Sequence, residues 1–287
     1  ALTEQEMQAF ADFALQLTYP PNPNRDISNT LTAGQQRGRD FYLNTVVESN
    51  TGFTCNTCHV LDPVAGFFGG DGLSSTRALH PGSPVMKIPH LRNLYTKMSA
   101  GESPFPAFGD QARGFFISHD GSGAKLFTFL LSPQVDFPSN AERQDLISFL
   151  RVFDTDLAPA VGQQVTLTAA NRTVAWPRIS VLYDRAGVTD PLPECDLIVK
   201  GVVNGDDRGW LRLQNGAFVS DRRSETLIGR LGLDKIARTP GQELTFTCVP
   251  PGSGVRMGID RDEDGHFDRD EIDAGSDPAD PASVPAA

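Results

Sequence analysis

Two cysteines and a histidine stand close together in the segment FTCNTCHVLDP, residues 53–63. Cys55 and Cys58 are separated by two residues, and His59 follows Cys58 directly. This spacing is typical of the covalent attachment of a c-type haem. Each thiol adds to one vinyl group of the haem, and on a tight helical turn the histidine then becomes the proximal ligand of the iron. The segment therefore predicts one covalently bound haem c, with His59 as a metal ligand.

Two other uses of a CxxC pair compete with haem attachment. A zinc site needs a second pair of Cys or His ligands nearby, and the sequence offers none at a suitable spacing. A redox-active dithiol usually belongs to a βαβ unit, for which the surrounding sequence shows no pattern. Haem c is therefore the preferred interpretation.

The second axial ligand decides whether such a haem carries electrons or reacts with a substrate. A methionine fills the position and raises the reduction potential, whereas an open position admits peroxide or oxygen. Of the four methionines, Met86 and Met98 lie downstream of the motif in the same Pro- and Gly-rich stretch. Met98 opens the loop SAGESPFPAFGD, which can fold over the haem, so it is the preferred ligand. Met86, His119 and an open position remain alternatives.

A second concentration of possible ligands occupies residues 260–271, with the sequence DRDEDGHFDRDE. It fits the twelve-residue calcium loop, which places oxygen ligands at positions 1, 3, 5, 7, 9 and 12 and glycine at position 6. The corresponding residues are Asp260, Asp262, Asp264, His266 (through its backbone carbonyl), Asp268 and Glu271, with Gly265 at the turn. The loop predicts one bound Ca²⁺.

The net charge of −11 is unevenly distributed along the 287 residues. Residues 258–287 contain ten Asp and Glu and two Arg, a charge of −8, which leaves −3 for the rest of the chain. An acidic chain argues against nucleic acid as a partner. The local excess of carboxylates is what a cation site requires.

Cysteine usage predicts a disulfide and an oxidising compartment. If Cys55 and Cys58 hold haem, Cys195 and Cys248 remain, and we expect them to pair. Closing so long a loop is worth roughly 4 kcal/mol in the chain-entropy model. No apolar run reaches the length of a membrane span. The chain starts ALTEQEM without a signal peptide, so we expect a mature protein, or a piece of a longer exported one, in the periplasm, at the cell surface or outside the cell.

Helical patterns surround the haem motif. Capping boxes predict helices that begin after Thr3 and after Ser139, and another helix is expected to start near Thr32. In the first, Met7 and Phe10 share an apolar face, and in the helix near Thr32 the glycines permit close approach of another helix. A further candidate helix begins at 122. This part of the chain, residues 1–157, is expected to be an all-α, class I-like cytochrome c domain.

The predicted secondary structure changes from helices to strands after residue 157. Short segments rich in β-branched residues predict strands; they are QQVTLT, RISVLY, CDLIVKGVV, GWLRLQ and ELTFTCV. One helix, residues 224–237, is expected to interrupt them, and Asp206, Asp207 and Arg208 look like a turn. The prediction is a small, mainly β (α+β) domain at 158–257, followed by an acidic calcium-loop tail at 258–287.

Three segments together resemble the C-terminal haem domain of the di-haem cytochrome c peroxidase and MauG-like superfamily. They are FTCNTCHVLDPVAGFFG (53–69), KIPHLRNLY (87–95) and RGFFISHDGS (113–122). The resemblance covers about residues 30–155 and implies haem-pocket roles for Arg92 and His119. A guanidinium such as that of Arg92 also suits a haem propionate, with a surface salt bridge as the alternative. The chain departs from the superfamily in having a single CxxCH.

The acidic loop resembles the calcium repeats of dockerins and thrombospondin type 3 segments, because no long amphipathic helix precedes Asp260. This resemblance implies a structural rather than a sensing calcium site.

These observations predict an exported mono-haem cytochrome that transfers single electrons to a redox partner protein or another haem protein. One alternative is a peroxidase-like or oxidase unit with an open haem. Another is a haem-bearing subunit of a surface assembly or electron-conducting filament. The oligomeric state does not follow from the sequence.

Overall fold

The computed structural model describes residues 2–48, 51–73, 85–97, 117, 126–131, 137 and 139–285. The chain divides into two compact units, Ala1–Pro159 and Ala160–Ala287.

The first unit combines helices with very short strands. Its helices are α1 (Glu4–Leu15), α2 (Ala33–Asn44), α3 (Cys55–Cys58), α4 (Leu126–Phe129) and α5 (Asn140–Arg151), with a 3₁₀ turn at Leu94–Thr96. Its strands are β1 (Val46–Glu48), β2 (Phe53–Thr54), β3 (Leu61–Asp62) and β4 (Phe67–Phe68). They form two antiparallel pairs, β1 with β2 and β3 with β4.

The predicted all-α cytochrome domain is therefore wrong, and the molecule is mixed α and β. Along the chain, β1 and β2 precede α3, which carries the CxxC sequence, and β3 and β4 follow it. Strands of two or three residues are too short to leave the alternating pattern by which strands are recognised in a sequence.

The core of the first unit is formed where α2 packs against α5. Gly38 of α2 faces the backbone of α5, and a Cβ at this position would lie 2.0 Å from the carbonyl oxygen of Asp145. Tyr42, Phe149 and Phe153 fill the space beside this crossing and are fully buried. The expected close approach of a second helix at the glycines of α2 is thus confirmed at Gly38.

Helix α1 has the predicted start but not the predicted burial. Thr3 and Glu6 form the capping box. Among the described residues, however, none of α1 is buried, and Met7 and Phe10 are 53% and 67% exposed. The apolar face is real, but the described part of the chain does not cover it.

The second unit is built on a five-stranded antiparallel sheet with the order β5-β9-β6-β7-β8. The strands are β5 (Gln164–Leu167), β6 (Asp196–Val203), β7 (Asp206–Arg212), β8 (Phe218–Ser220) and β9 (Leu244–Val249). The helices are α6 (Arg172–Arg185), α7 (Arg230–Ala237), α8 (Gly254–Gly258) and α9 (Asp268–Ala274).

Helices cover both faces of this sheet. The Sγ atom of Cys248, opposite Leu197 in the register, lies 3.7 Å from the carbonyl oxygen of Leu182 in α6. The next residue, Ile198, faces Gly258 of α8. Because successive strand residues point to opposite faces, α6 and α8 lie on opposite sides of the sheet.

A disulfide joins Cys195, just before β6, to Cys248 in β9, as predicted. Two local predictions are wrong. RISVLY lies within α6, where Ile179 and Leu182 are buried at helical spacing, so its β-branched residues misled the assignment. Asp206, Asp207 and Arg208 belong to β7, and the turn is made by Asn204 and Gly205, both with positive φ.

Residues 254–274 also belong to the second unit, where α8 packs on β6 and β7. In the part of the chain that the structure describes, no helix is long and apolar enough to cross a membrane.

Candidate functional site

The CxxCH residues lie on a single helical turn. α3 spans Cys55–Cys58, and the backbone amide of His59 donates to the carbonyl oxygen of Cys55 at 2.9 Å. The amide of Thr54 is held by the hydroxyl of Thr57 at 3.0 Å. The turn is therefore fixed at both ends, with the two thiols and the imidazole in consecutive positions around it.

Both thiols are free and neutral at ordinary pH. Burial raises the pKa of the Cys55 thiol to about 11. Burial, followed by the charges of Glu48 and Asp71, also raises the pKa of Cys58. A redox-active dithiol has at least one thiol with a lowered pKa. The environment thus disfavours dithiol chemistry and leaves both sulfur atoms available for thioether bonds.

The imidazole of His59 is anchored by its Nδ1 atom. This atom lies 3.0 Å from the carbonyl oxygen of Gly69 and 3.1 Å from that of Pro89. Carbonyl oxygens can only accept hydrogen bonds, so Nδ1 must carry the proton. Burial lowers the pKa of His59, which favours the neutral ring. The neutral tautomer leaves the lone pair on Nε2, the form that a metal requires.

The two acceptor carbonyls belong to segments that are tied to each other. The amide of Leu91 donates to Phe68 at 2.9 Å, and the amide of Gly69 donates to Val60 at 2.7 Å. On the other side, the hydroxyl of Tyr42 donates to the carbonyl oxygen of His59. The histidine is thus held through both its ring and its backbone.

Arg92 already has partners within the protein. Its Nε donates to Asp156 at 2.8 Å and its Nη2 donates to the carbonyl oxygen of Gly66 at 3.1 Å. Its guanidinium also lies over the rings of Phe68 and Tyr19, at 4.7 and 5.5 Å from their centroids. Arg92 therefore links Asp156, near the end of the first unit, to Gly66 between β3 and β4. Its role toward a haem propionate stays a prediction.

The two candidates for the far side of the iron, Met98 and His119, lie outside the described residues. Met86 is half-buried in the described segment 85–97. The identity of the second axial ligand therefore stays a prediction.

The second candidate site is the acidic loop between α8 and α9. Ligand oxygens of Asp260, Asp262 and Asp264 lie within 4.8 Å of one another. The carboxylate of Asp260 accepts hydrogen bonds from the amides of Glu263 at 2.8 Å and Gly265 at 3.1 Å. The loop thus folds around its first carboxylate.

Four carboxylate oxygens in this loop are buried and have no hydrogen-bond donor among the residues that the structure describes. They are one Oδ2 each from Asp262 and Asp264 and both oxygens of Glu271, which is fully buried. Burial, together with the charges of Asp262, Asp264 and Asp268, raises the pKa of Glu271 to about 6. Several buried carboxylates without donors are unfavourable unless a cation accompanies them. Hard oxygen ligands of this kind suit Ca²⁺.

Asp268 has a partner for each of its carboxylate oxygens. Its Oδ1 accepts from the amide of Arg261 at 2.7 Å, and its Oδ2 lies 3.7 Å from the ammonium of Lys200. The ninth position of such loops often acts through a water molecule, and these contacts fit that arrangement. Asp268 therefore belongs to the outer part of the candidate site.

Comparison of the chain with protein-family models, curated proteins and solved structures found no match.

Sequence reasoning missed a group of residues beside the acidic loop. Arg208, which the sequence placed in a turn, is buried and forms an ion pair with Asp221 at 2.9 Å. Arg223 donates from Nη2 to the carbonyl oxygen of Gly265 at 2.6 Å. These contacts join residues far apart in the chain, so spacing along the sequence carries no signal for them.

Proposed function

We propose that this chain is an exported mono-haem c-type cytochrome that transfers single electrons through a haem c attached to Cys55 and Cys58. The observation that carries the proposal is the fixed tautomer of His59, whose Nδ1–H donates hydrogen bonds to two backbone carbonyl oxygens. A proximal ligand needs a bare Nε2 and a fixed ring orientation, and this arrangement supplies both. When bound, the haem supplies one-electron redox chemistry at its iron.

The residues around the motif have separate roles in this proposal. Cys55 and Cys58 provide neutral thiols for the two thioether bonds. His59 provides the proximal nitrogen. The carbonyl oxygens of Gly69 and Pro89 hold the ring and increase its basicity, because a hydrogen bond at Nδ1 leaves more electron density at Nε2.

Electron transfer is favoured over substrate chemistry because the chain has one CxxCH and a methionine, Met98, downstream of it. Such a carrier requires an electron donor and an electron acceptor, each of which is a redox protein or another haem protein. The disulfide between Cys195 and Cys248 supports an oxidising compartment, which is where c-type haem proteins with disulfides are found.

We also assign a structural Ca²⁺ to the loop of residues 260–271. Asp260, Asp262, Asp264 and Glu271 would provide carboxylate oxygens, with the backbone carbonyl of His266 and a water held by Asp268 completing the set. The ion would compensate the four buried carboxylate oxygens that have no donor. Its role is to stabilise the second unit.

Optical spectroscopy of the haem-loaded chain tests the electron-transfer proposal. We expect a low-spin spectrum with the weak methionine–iron band at the red end in the oxidised state. Met98→Ala should remove that band and lower the reduction potential, because a thioether ligand favours reduced iron. Met86→Ala is the matched control and should leave the band in place. A high-spin spectrum of the wild-type chain that changes on addition of peroxide would support the peroxidase-like alternative instead.

A further inference from the structure

The acidic loop is contacted by a segment that the calcium-loop pattern does not include. This segment, residues 220–223, runs from the end of β8 past the loop and α9. The amide of Arg269 donates to the carbonyl oxygen of Asp221 at 3.0 Å. The amide of Arg223 donates to the carboxylate of Asp270 at 2.9 Å. The segment is thus bonded to α9 through its backbone in both directions.

The side chain of Arg223 reaches the loop itself. Its Nη2 donates to the carbonyl oxygen of Gly265 at 2.6 Å, and its guanidinium lies 4.8 Å from the ring centroid of Phe267. Gly265 has a positive φ of 92° and forms the sharp turn of the loop. His266, which would offer its backbone carbonyl to the ion, lies between the two residues that Arg223 touches. Arg223 therefore contacts the residues on both sides of His266, whose backbone carbonyl is the proposed ligand.

The segment is in turn fixed to the sheet by a buried ion pair. Arg208 of β7 is 7% exposed and bonds to Asp221 at 2.9 Å and to the hydroxyl of Ser220 at 2.6 Å. The second carboxylate oxygen of Asp221 accepts from the amide of Gly209 at 2.6 Å. A continuous set of hydrogen bonds thus leads from the sheet through residues 220–223 to the loop.

We infer that Arg223 is a positioning residue for the calcium site, holding the turn at Gly265 so that the His266 carbonyl faces the ion. The inference rests on the calcium role proposed above and adds a residue that makes no contact with the ion. Through the Arg208–Asp221 pair, the sheet prearranges the loop before calcium binds. The loop is therefore not an independent tail.

The charge of Arg223 makes the inference sharply testable. A cation near a calcium site repels the ion, so removing it for electrostatic reasons alone should tighten binding. Removing a residue that orients ligands should weaken binding, commonly about 10- to 100-fold. The two effects have opposite signs.

Arg222 provides a matched control. It is the neighbouring arginine and binds side chains, Asp273 at 2.6 Å and Glu225 at 3.4 Å, rather than the backbone of the loop. Arg222→Ala removes the same charge while leaving the Gly265 contact intact.

Calcium affinity should be measured by isothermal titration of the full chain with its wild-type sequence and with Arg223→Ala, Arg223→Lys, Arg222→Ala and Glu271→Gln. We expect Arg223→Ala to weaken binding at least about tenfold and Arg223→Lys to recover part of the loss, because an ammonium can still donate to Gly265. Arg222→Ala should bind as tightly as the wild type or more tightly.

A second measurement does not depend on calcium. Amide hydrogen exchange of the calcium-free chain should be faster at residues 265–268 in Arg223→Ala, with the protection of β6 and β9 unchanged. Unchanged protection of the strands also shows that the variant is folded.

Wild-type or tighter calcium binding by Arg223→Ala would overturn the inference while the calcium site itself stands. If the wild-type chain binds no calcium and Glu271→Gln behaves identically, the calcium site itself fails, and the inference fails with it.

Discussion

A neutral imidazole carries its proton on either Nδ1 or Nε2, and in His59 the neighbouring groups determine which nitrogen is protonated. Two carbonyl oxygens, from Gly69 and Pro89, face the same ring nitrogen. Neither can donate, so the proton lies on Nδ1 and the lone pair on Nε2. The same residue pattern without these carbonyls would leave the tautomer and the ring orientation free. These contacts thus fix the tautomer and the orientation of the ring, which the CxxCH sequence alone leaves open.

Tyr42 gives a test of this arrangement at the residue scale. It is 1% exposed and its hydroxyl donates to the carbonyl oxygen of His59. Tyr42→Phe should lower the free energy of unfolding by about 1–3 kcal/mol, because a carbonyl loses its donor inside the protein. Denaturant unfolding measures the change.

Tyr19→Phe is the matched control, since the Tyr19 hydroxyl contacts the half-buried ring of His90 at 2.9 Å. Its loss should be smaller, about 0.5–1 kcal/mol. Equal losses in the two variants would argue that the Tyr42 hydroxyl has no special role in holding the motif.

At the scale of elements, the crossing of α2 and α5 fixes the framework that holds the CxxCH segment. The helices meet at Gly38, and Tyr42, one turn later in α2, reaches His59. The same helix therefore provides both the close approach and the hydrogen bond. Any change that separates α2 from α5 should also move Tyr42 away from the motif.

Two glycines of α2 allow this to be tested. Gly38→Ala should destabilise the chain by about 1–3 kcal/mol, because its Cβ would overlap the backbone of Asp145 and force the helices apart. Denaturant unfolding and the fraction of chain that incorporates haem are the measurements.

Gly34→Ala lies one turn earlier, and its Cβ would meet side chains rather than backbone, Asp145 at 3.0 Å and Arg37 at 3.7 Å. Those side chains can move, and alanine favours a helix over glycine by about 1 kcal/mol, so this variant should be neutral or slightly stabilised. A similar loss in both variants would indicate that the helix crossing tolerates no side chain anywhere along it, contrary to our expectation.

At the scale of the whole molecule, the chain carries its two candidate sites in different compact units. The CxxCH motif lies in Ala1–Pro159, and the acidic loop and the disulfide lie in Ala160–Ala287. The acidic segment packs against the sheet through α8, and Arg222 and Arg269 both form ion pairs with its Asp273. The acidic segment is thus an integral part of the second unit.

Chelation of calcium should therefore destabilise the second unit selectively. At a calcium concentration one hundred times the dissociation constant, binding contributes about 2.7 kcal/mol. For a unit of this size its removal should lower the melting temperature by roughly 10 °C. Calorimetry with and without chelator measures the shift, and the haem absorbance reports the first unit.

Glu271→Gln is the control for this experiment, because it removes the bidentate ligand and should melt at the same temperature with or without chelator. A wild-type chain that is equally insensitive to chelator would contradict the structural role of calcium.

Much of the local structure could be predicted from sequence. The predicted caps at Thr3 and Ser139 contact Glu6 and Glu142, three residues further along the chain, so both partners of each contact are close together in the sequence. The strands β5, β6 and β9 are rich in β-branched residues, which is a local signal, and the disulfide followed from the number of cysteines. Where local preference and tertiary packing disagreed, as in α6, packing prevailed because burial along a helical face outweighs intrinsic preference.

The sequence by itself determined which groups are available: two thiols, one imidazole and a ring of carboxylates at fixed spacing. Only the tertiary structure decided how those groups are presented. The acceptors of His59 lie 10 and 30 residues away in the chain, and Arg223 lies 42 residues from Gly265. Such contacts form only when distant segments of the chain fold against each other. The spacing of residues along one strand or one helix does not predict them. The sequence pattern identifies the candidate ligands, and long-range hydrogen bonds set the tautomer of His59 and the position of the turn at Gly265.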